Sequence, residues 1–216
     1  MKVIKRNGRT EELDISKIKK YTSESVEGLD NVNLSELEVD AKIQFRDMIT
    51  TEEIQQTLIK TAVDKIDIDR PNWTFVAARL FLYDLYHKVT GYTGYPHLRE
   101  YFERGEEVGR ILLGLKEKYD LDDLNEYIDS KRDLQFTYLG IKTLYDRYLL
   151  KDKNANPIEL PQHMFMAIAM FLAQNEFDCQ SWAKKFYDLI SKFEVMPATP
   201  TLSLSLIHIS EPTRRY

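Results

Sequence analysis

A β-turn that leads straight into a helix constrains this chain more than any other feature. The run Val3-Ile4-Lys5-Arg6-Asn7-Gly8-Arg9-Thr10-Glu11-Glu12-Leu13-Asp14-Ile15-Ser16-Lys17-Ile18 opens a sequence of 216 residues. Asn7-Gly8 predicts a two-residue hairpin loop in which both residues take positive φ. Asp14 predicts an N-cap, because its carboxylate accepts the orphan N–H groups of a first helical turn. Ile15 and Ile18 follow at helical spacing. Lys5, Arg6, Arg9 and Lys17 should therefore collect near the hairpin and the helix entry. Cations beside a helix N-terminus suit a phosphate group. Residues 1–20 hold seven Lys/Arg and three Asp/Glu, a net +4; the whole chain is −5, so the remainder carries −9. The charges alone fit a solvated hairpin as well as a phosphate site.

A length of 216 residues accommodates one or two domains with a real core. The apolar share of 43% and charged share of 30% are those of a folded globular chain rather than a disordered one. The acidic balance argues against non-specific nucleic-acid binding. A single cysteine excludes an internal disulfide and any zinc site built on two cysteines of this chain. The opening residues do not read as a signal peptide. The longest apolar run, Met164 to Ala173, has ten residues and is too short to span a bilayer. The expected location is the cytoplasm.

Past the hairpin the pattern is mainly helical. Leu34, Leu37, Ala41 and Phe45 share one face. Thr50 and Glu53 form a capping box ahead of a helix carrying Ile54, Leu58, Ala62 and Ile66. Pro71 is expected in the first turn of the next helix, which is lined by Trp73, Val76, Ala77 and Leu80. Gly91 to Pro96 is the clearest break, and a domain boundary is placed there. Beyond it, Tyr138, Ile141, Leu144, Tyr145 and Tyr148 fit one stripe, and Asn154 to Pro157 reads as a loop. Met164 to Leu172 is apolar all round, which predicts a central, covered helix. Trp182, Phe186, Leu189, Ile190 and Phe193 predict a last buried stripe. Met196 to Thr201 is expected to stop helix formation. The acidic run Asp120-Leu121-Asp122-Asp123 suits a helix N-terminus.

Lys5-Arg6-Asn7-Gly8, Glu11, Asp14 and Lys17-Ile18 resemble the first motif of the ATP cone, a nucleotide-sensing domain. Arg132 to Tyr138, Lys142, Tyr148-Leu149-Leu150, Phe186 to Ser191 and Pro197 to Ser203 resemble the helical segment that precedes the α/β barrel of class I ribonucleotide reductase large subunits. The resemblance implies a mainly α fold. An ATP cone at residues 1–92 (a small β-hairpin plus helices) would precede an all-helical domain at residues 93–203, and the catalytic α/β barrel is absent. Leu204 to Arg214 resembles the translation of a common sequencing-library adapter, so residues 204–216 are set aside as a non-native tail.

The resemblance also implies a site. Lys5 and Arg6 would meet phosphate, and Glu11, Glu12, Leu13, Asp14, Ile15, Ser16 and Lys17 would wrap the nucleotide, with Lys17 a second phosphate cation. Val3, Ile15, Ile18 and Ile54 would wall the base, and Thr51 would offer a hydroxyl. Ile15 and Ile18 fit plain core equally well, and Thr51 fits a role within the helix cap. His87 stands where some relatives have a phosphate-binding lysine, with Lys88 next to it, and Gln55 stands where some have histidine. Thr199 matches a position at the barrel entrance that contacts substrate.

The implied ligand is ATP or dATP with Mg2+, acting as an allosteric effector, and no redox cofactor belongs to this part. The radical and redox cysteines of the family sit in the barrel, and Cys179 matches none of them. His97 and His163 show no metal spacing. The implied parent reduces ribonucleoside diphosphates with a small beta subunit that generates the radical. It assembles with other large subunits and is re-reduced by thioredoxin or glutaredoxin; neither nucleic acid nor membrane is a partner. The residues present would be catalytically incompetent and would supply only the activity switch. The alternative is an ATP-cone sensor without reductase activity, either a regulator or a free-standing module.

Overall fold

The computed structural model describes residues 1–92, 94–111 and 113–204. The adapter-like tail from Ser205 onward, with His208, lies outside the described residues. The fold is mainly α, with one small sheet and no barrel among the described residues. Two compact units are present. The first comprises Met1–Asp84 and Leu134–Lys142, and the second Leu85–Asp133 and Thr143 onward.

In the first unit, β1 (Lys2–Ile4) pairs antiparallel with β2 (Thr10–Glu12), placing Val3 opposite Glu11. The connection differs from the expected two-residue loop. The Gly8 N–H donates to the Lys5 carbonyl and the Lys5 N–H to the Arg9 carbonyl, each at 2.8 Å. Gly8 has φ +79°, while Asn7 is not among the residues with positive φ. The loop is thus Arg6-Asn7-Gly8. Asn7 keeps an ordinary φ because its side chain accepts from the Arg9 N–H at 3.1 Å, which stabilises a longer turn ending in one left-handed glycine.

α1 (Ile15–Val26) starts as expected, with Asp14 as N-cap. α2 (Leu34–Lys42) buries Leu37 and Ala41. A third strand, β3 (Ile49–Thr50), lies parallel to β1 and gives the order β2-β1-β3. At two residues it carries no readable period. α3 (Thr51–Asp64) has the full Thr50–Glu53 capping box and buries Ile54, Leu58 and Ala62. Ile66 falls beyond its end and is exposed. α4 (Trp73–Thr90) buries Trp73, Val76, Ala77 and Leu80 almost completely. Pro71 sits in the turn before α4 rather than inside it, its carbonyl accepting from the Thr74 N–H. Tyr138 returns to this unit: its N–H donates to Thr74 Oγ1 at 3.1 Å, and its ring meets Phe81 edge-on.

The second unit holds α5 (Leu98–Glu107), α6 (Leu121–Tyr127), most of α8 (Pro161–Ala173) as its core, α9 (Cys179–Ser191) and α10 (Thr199–Leu204). α7 (Tyr138–Arg147) is divided between the units at Lys142. Met164 through Met170 are all buried, as the all-apolar run predicts, whereas Leu172 at its end is 43% exposed. Asp120 caps α6, and His97 caps α5 through Nδ1.

α9 departs from expectation. Its buried face is Ala183, Tyr187, Ile190 and Ser191, whereas Trp182, Leu189 and Phe193 remain exposed by more than a third. The helix is apolar over a wide arc, so apolar spacing alone misassigns the inner face. Met196 to Thr201 does not exclude helix either. Pro200 takes the second position of α10, where a missing N–H costs nothing.

Candidate nucleotide-binding site

The candidate site lies within the first unit: the hairpin runs on into α1 and is tied to α4 through Arg6 and Asp84, and α3 reaches the same part of α4 through Gln55 and Gln56. The β1–β2 ladder puts Lys5 near Glu11, with Nζ 3.6 Å from Oε2. Lys17 Nζ lies 3.9 Å from Asp14 Oδ2, one turn into α1. The Lys17–Asp14 pair is solvent-exposed, and half-buried Lys5 meets a Glu11 that is 51% accessible. Exposed ion pairs of this kind contribute little and are screened by salt. A triphosphate can therefore replace either carboxylate at small cost. Asp14 also accepts from the Ser16 N–H and hydroxyl. That hydroxyl, with the nearby Lys17 ammonium, holds the Asp14 carboxyl below the usual range.

Arg6 is held differently. Its NH2 donates to Asp84 Oδ1 at 2.7 Å, 78 positions along the chain. Asp84 is only 3% exposed and accepts on Oδ2 from Gln56 Nε2 at 3.2 Å. Asp84 was not anticipated from the sequence. The signal was available: it is the single carboxylate in the Leu80-Phe81-Leu82-Tyr83-Asp84-Leu85 run.

Val3, Ile18 and Ile54 are buried at 2%, 6% and 3% exposure, and form core beneath the hairpin. Ile15 is 43% exposed, so it has surface to offer a base while Ile18 has almost none. Leu13 is half-buried, and its N–H donates to the Met1 carbonyl. Glu12 pairs with Lys2 across the ladder. Thr51 opens α3, but the cap hydroxyl is that of Thr50, which accepts from the Glu53 N–H. Gln55 is buried, its amide donating to the Leu80 carbonyl at 2.7 Å. His87 and Lys88 occupy the last turn of α4, within the second unit.

Two family descriptions match the chain: the ATP cone domain at residues 1–88 and the ribonucleotide reductase all-alpha domain at residues 134–205. The chain thus combines a match to the ATP cone domain with a match to the all-alpha domain of ribonucleotide reductase. It is 72% identical over 201 residues to the ribonucleoside-diphosphate reductase subunit alpha of Helicobacter pylori strain 26695, covering 93% of this chain and 26% of that protein. It is 34% identical over 221 residues to the ribonucleoside-diphosphate reductase 1 subunit alpha of Escherichia coli K12, covering 99% of this chain and 28% of that protein. The chain thus spans about a quarter of the length of these reductase relatives.

Other flagged residues stand outside this site. Thr199 opens α10, its Oγ1 3.2 Å from the Tyr148 hydroxyl. Cys179 begins α9, its Sγ 3.6 Å from the Lys118 carbonyl. His163 is buried between the rings of Tyr95 and Tyr101, and burial pushes its pKa down to about 3. Among the described residues no cluster of three or more His, Cys, Asp or Glu could hold a metal ion. No helix among them is long and apolar enough to cross a membrane.

Proposed function

We propose that residues 1–92 form an ATP cone that binds ATP or dATP, carried with Mg2+, and that residues 93–203 form the helical domain behind it in a ribonucleoside-diphosphate reductase large subunit. Residues 204–216 are a non-native tail in this reading. Lys5 and Lys17 hold the phosphates, aided by Arg6, with Ile15 and Thr51 near the nucleoside. Thr199 belongs to the substrate entrance of the full enzyme.

The observation that carries this reading is the pair of cations held only by exposed carboxylates, half-buried Lys5 and exposed Lys17, near the capped start of α1 inside an ATP-cone match. A helix start with cations nearby stabilises a polyphosphate. The all-alpha match at residues 134–205 supports a reductase over a free-standing sensor.

The role is regulatory. The full enzyme, with its radical-generating beta subunit and thioredoxin or glutaredoxin as reductant, converts ribonucleoside diphosphates to deoxyribonucleotides in the cytoplasm. This chain alone reduces nothing. ATP permits the active assembly and dATP favours an inhibited one. Each nucleotide shifts the assembly only by binding its forms unequally.

Isothermal titration calorimetry tests the site. The chain should take up ATP and dATP, and Lys5→Ala and Lys17→Ala should each weaken binding about tenfold, the loss of one charge-assisted contact. Wild-type affinity in both variants would refute the assignment.

A further inference from the structure

We infer that Asp84 is a positioning residue for the effector's phosphates, acting through Arg6; this rests on the nucleotide-binding reading above. An arginine following the hairpin strand is a flexible cation by default. Here it is fixed at one end. Asp84 Oδ1 takes one N–H from Arg6 NH2 at 2.7 Å. Gln56, on α3, donates to the other carboxylate oxygen at 3.2 Å. The carboxylate is thus oriented by its place on α4 and by Gln56, and it transmits that orientation to the guanidinium.

A guanidinium has five N–H donors in a rigid planar fork. Among the described residues only one donor atom of Arg6, NH2, makes a hydrogen bond to the protein. The side chain is 41% exposed against 3% for Asp84, so a solvent-accessible guanidinium is tied to a buried anchor. Arg6 lies one residue from Lys5, the first phosphate cation of the proposed site. A planar fork held at one edge presents its other edge in a set direction, so less rotamer freedom is lost when a phosphate binds. Lys5 and Lys17 have no such anchor, since their carboxylate partners are exposed. The three cations therefore differ in kind. The lysines exchange their partners for phosphate, whereas Arg6 keeps Asp84 and adds the phosphate.

Calorimetry with ATP on wild type, Arg6→Ala, Asp84→Asn and the double variant tests this. Asp84→Asn removes the anchoring charge but keeps an acceptor of the same shape. Each single variant should weaken ATP about tenfold. The double variant should be no weaker than Arg6→Ala, because Asp84 acts only through Arg6. Arg6→Lys, which preserves charge and fold but loses the fork, should bind ATP as weakly as Asp84→Asn, and serves if Asp84→Asn does not fold. A merely structural Asp84 would lower the melting temperature and leave ATP affinity unchanged. That result, wild-type affinity in Arg6→Ala or Arg6→Lys, or additive losses in the double variant would overturn the inference while leaving a nucleotide site standing. No ATP uptake by the wild-type chain would remove the nucleotide reading and this inference with it.

Discussion

Asp133 should make the second unit less stable as pH rises, and Asp133→Asn should remove that part of the pH dependence. The carboxyl is fully buried. The hydroxyls of Tyr86 and Tyr95 each donate to its Oδ2 at 2.6 Å, and Gln162 Nε2 donates to Oδ1 at 2.8 Å. Burial outweighs these three bonds and raises its pKa from 3.8 to about 6. The folded chain therefore holds this proton more tightly than the unfolded chain does. Its stabilisation is complete below pH 3.8 and is lost as pH climbs through about 6. At 1.36 kcal/mol per pH unit, the change amounts to about 3 kcal/mol.

Two neighbouring groups complicate the raw profile. Burial lifts Glu159 to about 7, which acts in the same direction between pH 4.5 and 7. His163 acts oppositely: its contribution is whole above 6.5 and disappears as pH falls to about 3. Both cancel in the difference between wild type and Asp133→Asn. Urea unfolding at pH 4 to 8, followed by the fluorescence of Trp182 in a Trp73→Phe background, measures that difference. Wild type should lose about 2 kcal/mol relative to the variant between pH 4 and pH 7. A difference constant across that range would refute the reasoning.

Two further outcomes concern packing and capping. Gly105→Ala should destabilise the second unit by about 1–3 kcal/mol in thermal or urea unfolding, because overpacking forces a buried neighbour to move. The added Cβ would run into the Ile111 side chain, 2.6 Å from its Cγ1, and Ile111 is only 3% exposed. Thr50→Ala removes the hydroxyl that accepts the Glu53 N–H, and should cost the first unit about 1 kcal/mol. Hydrogen exchange should show the loosening confined to the first turn of α3. Uniform exchange across that helix would point away from the cap.

Much of this protein was legible locally. Asp14, Thr50 and Asp120 each announce a helix start, since a cap needs only partners two or three residues away. The covered character of Met164–Met170 follows from having no polar face to turn outward. The cationic opening and the ATP-cone motif are likewise contiguous. Asn7 already exceeds this reach, because its conformation is decided by a side-chain bond that competes with the simpler turn.

What no stretch of sequence contained are the pairings between distant segments. β3 exists only because Ile49 and Thr50 lie alongside β1. The inner face of α9 was chosen by its packing, which buries Tyr187 fully and leaves Trp182 39% exposed. Arg6 meets Asp84 across 78 positions, and Tyr95 and Gln162 meet at Asp133 from opposite sides in sequence. Local chemistry selects helices, turns and caps, because those interactions close within a turn of chain. A buried carboxylate is admitted only where the fold assembles its donors around it, so tertiary structure alone decided which acids of this chain are surface charge and which are anchors.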